Sequence, residues 1–114
     1  MRVYGIKNCD TVKKCISFLE FNNIEYEFVD LKKNEINEQD INSWINVLGW
    51  DTVINTKSQS WRSLPQQVKD NASNDFFNII QSNKSIIKRP LITYDNQEVT
   101  VGFNSEIQDK IKNG

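Results

Sequence analysis

Histidine is absent from the 114 residues, and only two cysteines are present. The first absence excludes Ser–His and Cys–His catalytic pairs, HExxH metal sites, and most zinc and haem ligation. The second excludes a four-cysteine zinc or iron–sulfur centre within one chain. Long apolar runs are missing too: the longest stretch without a charge, Ile41 to Trp50, is about half of what spans a bilayer. No excess of either charge exists, since fourteen basic face fifteen acidic residues, so direct nucleic-acid binding is not expected. Met1-Arg-Val-Tyr-Gly-Ile6 has no hydrophobic signal core, and the expected location is the cytoplasm. What remains, at 38% hydrophobic and 25% charged residues, is the composition of a globule with a real core. Its length fits a single domain over residues 1–114.

Arg2-Val-Tyr-Gly-Ile6 reads as a short strand. Asn8-Cys9-Asp10-Thr11 then starts a helix, on which Val12, Cys15, Ile16 and Leu19 follow at i, i+3, i+4 and i+7, flanked by Phe18 and Phe21. Ile24 to Leu31 alternates as a second strand, which completes a parallel βαβ unit. A further helix begins at Asn37, carries Ile41, Trp44, Ile45 and Leu48 on one face, and stops at Gly49. Trp50 to Leu64, rich in Thr, Ser and Asn, reads as loop with one helical turn, and Asn74 to Ser82 as a short helix. Leu91–Tyr94, an Asp95-Asn96 turn and Glu98–Val101 form a hairpin. Ser105 and Gln108 fit a capping box for a last helix with Ile107 and Ile111 turned inward. The order predicts a four-stranded mixed sheet with helices on its faces, α/β at the start and α+β at the end.

Chemistry concentrates at Cys9, which opens the first helix directly after a strand. Four unpaired N–H groups and roughly half a positive charge gather at such an end. Lys7, Lys13 and Lys14 add cations, partly offset by Asp10. Cysteines in such surroundings titrate anywhere from about 3.5 to 7.5. A shift from about 8.5 to about 6.5 takes the thiolate fraction at pH 7 from roughly 3% to roughly 75%. Nucleophilicity falls about tenfold with it, so the larger gain is as a leaving group, which suits thiol exchange better than hydrolysis. The competing reading of any free cysteine is a small buried hydrophobe. That reading fits Cys15, which lies in the apolar stripe about 9 Å of helix rise from Cys9, too far to bridge. Without a CxxC motif, an external thiol must resolve Cys9. Arg62 and Arg89, each alone a solvated surface arginine, offer two-pronged binding of a carboxylate or oxyanion. Arg89-Pro90, preceding a strand, is a step that can be cis.

Four segments resemble the arsenate reductase-like family, which includes the Spx/MgsR regulators and the YffB-like proteins. They are Gly5-Ile-Lys-Asn-Cys9-Asp-Thr-Val-Lys-Lys14, Asn55-Thr56 with Trp61-Arg62-Ser-Leu64, Ile86-Ile-Lys-Arg89-Pro90-Leu-Ile92, and Val101-Gly-Phe103. The resemblance covers essentially the whole chain in order and is closest to the YffB-like branch. It implies a thioredoxin-like fold with a helical insertion. Cys9 then matches the nucleophile, Arg62 and Arg89 two oxyanion-binding arginines, and Pro90 the cis-proline facing the cysteine. Asn8 and Lys13, within the motif around Cys9, join Pro90 on the substrate-binding side. The implied activity is that of a thiol-disulfide oxidoreductase, a monomer with no tightly bound cofactor. Its partner is a small thiol or disulfide, with glutathione or another low-molecular-weight thiol as co-substrate. The alternative is a Spx/MgsR-like regulator that binds RNA polymerase, and arsenate reduction comes third. Two departures bear on these: Phe103 stands where arsenate reductases of the family have a third arginine, and Val12 where Spx-type regulators carry the second cysteine of a CxxC switch.

Overall fold

A computed structural model describes residues 1–113. Its contacts group into two compact units: Met1–Asn34 with the segment from Arg89 onward, and Glu35–Lys88. The first unit holds β1 (Arg2–Gly5), α1 (Asp10–Phe21), β2 (Glu27–Asp30), β3 (Leu91–Thr93), β4 (Val99–Val101) and α7 (Ser105–Asn113). Its sheet runs β2-β1-β3-β4, with β1 and β2 parallel and the other two pairings antiparallel. This is the mixed four-stranded sheet that the element order predicts.

Val3 and Ile92, opposite one another in the β1–β3 register, form a core cluster with Cys15 and Leu19 of α1 and Ile111 of α7. The stripe on α1 is buried at Val12, Cys15 and Leu19, whereas Phe21 lies 87% exposed at the helix end. Ile107 packs against the same cluster. The cap of α7 differs from the expected Ser105–Gln108 box. Asn104 accepts from the Ile107 N–H on Oδ1 (3.0 Å) and from the Gln108 N–H on its carbonyl (2.9 Å), so Ser105 is already the first helical residue.

The second unit is helical: α2 (Glu38–Leu48), α3 (Trp50–Val53), α4 (Gln59–Arg62), α5 (Gln66–Asp70), α6 (Ala72–Ser82) and a 3₁₀ turn at Lys84–Ile86. Asn37 caps α2 by accepting the Gln39 N–H (2.7 Å), and Gly49 ends it at φ 86°, a backbone region that a side chain disfavours. The stretch read as loop with one helical turn contains two short helices: α3 starts after Gly49 without a side-chain cap, and α4 is capped by Ser58. Ser58 Oγ accepts the Trp61 N–H (3.1 Å) and donates to the Asn55 carbonyl (2.7 Å). Helix α5 has no apolar face to betray it, and none of its residues is buried. Helix α6 starts at Ala72, earlier than expected, and is broken at Asp75 (φ −135°, ψ 35°). Trp61 is buried, with its ring 6.0 Å from that of Trp50. Gln81 stands in for a strand partner: its side chain accepts the Ile36 N–H (3.2 Å) and donates to the Ile36 carbonyl.

Candidate functional site

The chain leaves β1 through a tight turn in which the Cys9 N–H donates to the Ile6 carbonyl (3.1 Å). Cys9 keeps an extended backbone (φ −89°, ψ 124°), while its own carbonyl accepts the Lys13 N–H (3.0 Å) and so begins α1. It is the N-cap residue, yet its side chain makes no capping hydrogen bond. The first-turn N–H groups therefore have no partner within the helix and leave their partial positive charge at the sulfur's end of α1. Cys9 is half-buried, with Asn8 and Lys13 exposed beside it in sequence.

Sheet register decides which other residues share this end of the unit. Tyr4 pairs with Leu91, so the end of β1 lies beside the start of β3, which Arg89 and Pro90 immediately precede. The Arg89–Pro90 peptide bond is cis. Pro90 is buried, its carbonyl accepts the Gly102 N–H (2.9 Å), and Arg89 is half-buried. Cys9, Asn8, Lys13, Arg89 and Pro90 thus belong to one end of one unit. Arg62 belongs to the second unit: it is the exposed last residue of α4, and its carbonyl accepts from Lys69 Nζ (3.4 Å).

Cys15 is the opposite kind of cysteine. It is fully buried in the aliphatic core cluster, and that burial pushes its thiol up to about 11. Both cysteines are free. Phe103 is taken up by packing, edge to face with Phe18 at 5.6 Å between ring centroids. Among the described residues, no cluster of three or more His, Cys, Asp or Glu side chains is placed to hold a metal ion. Among the described residues, no helix is long and apolar enough to cross a membrane.

One feature of the site had only a weak sequence signal. Gly5, read simply as a strand residue, is where α1 makes its closest approach to β1. A Cβ there would lie 2.7 Å from Val12 Cγ2 and 3.0 Å from Val12 Cγ1. The signal is the coincidence of a strand glycine with the first buried helix residue seven positions later.

The family model described as ArsC matches residues 4–111. An uncharacterised protein of Haemophilus influenzae is 36% identical over 105 residues, covering 91% of each chain. The global transcriptional regulator Spx 2 of Bacillus anthracis is 24% identical over 91% of this chain and 80% of its own. Among solved structures, a YffB protein superposes with a TM-score of 0.86 at 28% identity, covering 96% of both chains. The fold is thioredoxin-like, with the helical second unit inserted between β2 and β3.

Proposed function

Because the chain belongs to the ArsC family, together with its Spx and YffB-like relatives, we propose that it is a thiol-dependent reductase working through the single nucleophile Cys9. The observation that carries this reading is the placement of Cys9: a half-buried free cysteine at the N-terminus of α1, with no capping bond to occupy its side chain, at the sheet end that also holds Arg89 and Pro90. In the proposed reaction the Cys9 thiolate attacks the glutathione sulfur of a mixed disulfide. A Cys9–glutathione disulfide forms, and the other thiolate departs and takes a proton from water. A second glutathione thiolate then attacks the glutathione sulfur of that intermediate, releasing oxidised glutathione and regenerating the Cys9 thiolate. Helix N–H groups favour the anion at both steps. Arg89 holds the anionic partner, Pro90 shapes its docking edge, and Asn8 and Lys13 line the approach.

Incubation with oxidised glutathione, followed by intact mass, tests the chemistry. One glutathione adduct is expected on the wild type, none on Cys9→Ser and one on Cys15→Ala. An adduct that survives Cys9→Ser, or no adduct at all, removes the basis of the proposal. A regulator that binds RNA polymerase is the second reading, favoured by the relatives named as transcriptional regulators. Polymerase subunits retained on the immobilised chain and on its Cys9→Ser variant alike would support that reading over the enzyme. Phe103, packed on Phe18 where a third arginine is needed, ranks arsenate reduction below both.

A further inference from the structure

The first unit has its charges sorted along the strand direction. At the end where β1 and β2 start, Arg2 pairs with Glu27, Met1 N with Asp95, and Lys110 with Glu98. At the other end, Lys7 lies in the turn after β1, Lys13 and Lys14 in the first turns of α1, and Lys32 and Lys33 in the turn after β2. All five are exposed, and none makes an ion pair among the described residues. Arg89 stands at the same end.

Backbone geometry fixes the Lys32–Lys33 turn next to the turn that carries Cys9. Gly5 pairs with Asp30, and the Leu31 N–H donates to the Gly5 carbonyl (2.9 Å), one residue before the Ile6 carbonyl that accepts from Cys9. Asp30 then folds the lysines over: its Oδ1 accepts the Lys32 N–H (2.9 Å), and its carbonyl accepts those of Lys33 and Asn34 (3.1 Å each). Acids are present at this end too: Asp30 is buried and engaged in that turn, Asp10 sits in the first turn of α1, Glu106 in the first turn of α7, and exposed Glu35 follows the lysines by two residues.

We infer that Lys32 and Lys33, with Lys7, make this end of the unit selective for anionic low-molecular-weight disulfides over neutral and cationic ones. They act as specificity-determining residues beside Cys9, and the inference rests on the thiol-exchange reading above. One strand spacing and two residues put the turn on the order of 10 Å from the Cys9 turn. At that range an exposed pair of charges acts by steering rather than by contact, and salt must weaken it.

The test measures the rate of Cys9 adduct formation by intact mass with three disulfides: oxidised glutathione (anionic), bis(2-hydroxyethyl) disulfide (neutral) and cystamine (cationic). Expected is the order anionic, neutral, cationic, once each rate is divided by that of free cysteine with the same disulfide. The spread should narrow as salt rises from about 0.01 M to about 0.15 M, through the change in screening length. Lys32→Glu/Lys33→Glu should lower the ratio of anionic to neutral rates roughly fivefold at about 0.15 M salt and several tens of fold at about 0.01 M. Equal normalised rates, or a ratio that neither salt nor the double variant moves, overturn the selectivity and leave the thiol chemistry standing. No adduct with any of the three overturns both.

Discussion

Gly5 and Val12 set how closely the helix carrying Cys9 lies on the central strand, and Gly5→Ala tests that contact. The added methyl would meet Val12 at 2.7 and 3.0 Å. Val12 is completely buried and β-branched in a helix, so its rotamer cannot turn away and the backbone of α1 must move. Overpacking of this kind costs about 1–3 kcal/mol. Replacing glycine restricts the unfolded chain and offsets about 0.4–1 kcal/mol of that, so the net loss is about 1–2 kcal/mol. Val12→Ala alone deletes two methyls from the core, at about 0.5–1.5 kcal/mol each. In the double variant the new methyl enters the space that the two old ones vacated. Its loss of stability should therefore fall short of the sum of the single losses by about 1–2 kcal/mol. Urea unfolding followed by far-ultraviolet circular dichroism gives all four corners of the cycle. A Gly5→Ala protein as stable as the wild type refutes the close-packing argument. So does additivity within about 0.5 kcal/mol.

Cys15 supplies a pH-dependent prediction. Burial raises its thiol from 9.0 to about 11, so the folded state holds this proton more tightly than the unfolded chain does. The contribution is intact below about pH 9 and lost as pH rises towards 11, amounting to about 2 kcal/mol at pH 10.5. Cys15→Ala should be about 1 kcal/mol less stable than the wild type at pH 7, yet lose about 2 kcal/mol less between pH 7 and 10.5. Parallel pH–stability curves from urea unfolding would contradict this. The side-chain caps of the helical unit make a third case. Asn37→Ala and Ser58→Ala should each cost about 1 kcal/mol in the same assay, and losses within about 0.2 kcal/mol would deny both caps their role.

The sheet was legible because its signals are local and redundant. β-branched strands end at polar turns, and the α1 stripe returns every three to four residues. Local signals of this kind give the strands and the hairpin, but not the pairing of β1 with β3 or its register. The second unit was less legible. Helices α3 and α4 span four residues each, too short for an apolar period to show, and α5 buries nothing. What betrays α4 is the pair of hydrogen bonds at Ser58, and a serine in a Thr/Asn-rich run reads equally well as loop until its partners are known. The site divides the same way. Cys9 at a helix start is a local pattern, and so is the contrast with Cys15 inside the stripe. The place of Arg89 and Pro90 beside it is a matter of strand pairing eighty residues apart in sequence, which only the family resemblance supplied in advance.

That division bears on where the reducing equivalents of the proposed reaction come from. A CxxC device needs its second thiol at position 12, where Val12 fills the space against Gly5 and is fully buried. The packing that seats α1 on β1 thus occupies the position an internal resolving cysteine would need. The other thiol, Cys15, lies within the core cluster, with its proton held to about 11. In the proposed reaction Cys9 therefore works alone, and a mixed disulfide on it would persist until a thiol arrives from solution. The lifetime of that intermediate should shorten in proportion to added glutathione, with an intercept near zero when none is present. Single-turnover release of the adduct, followed by mass against thiol concentration, measures the intercept directly. A large thiol-independent rate would mean that a second sulfur in the chain reaches Cys9, against the burial of Cys15 and the identity of residue 12.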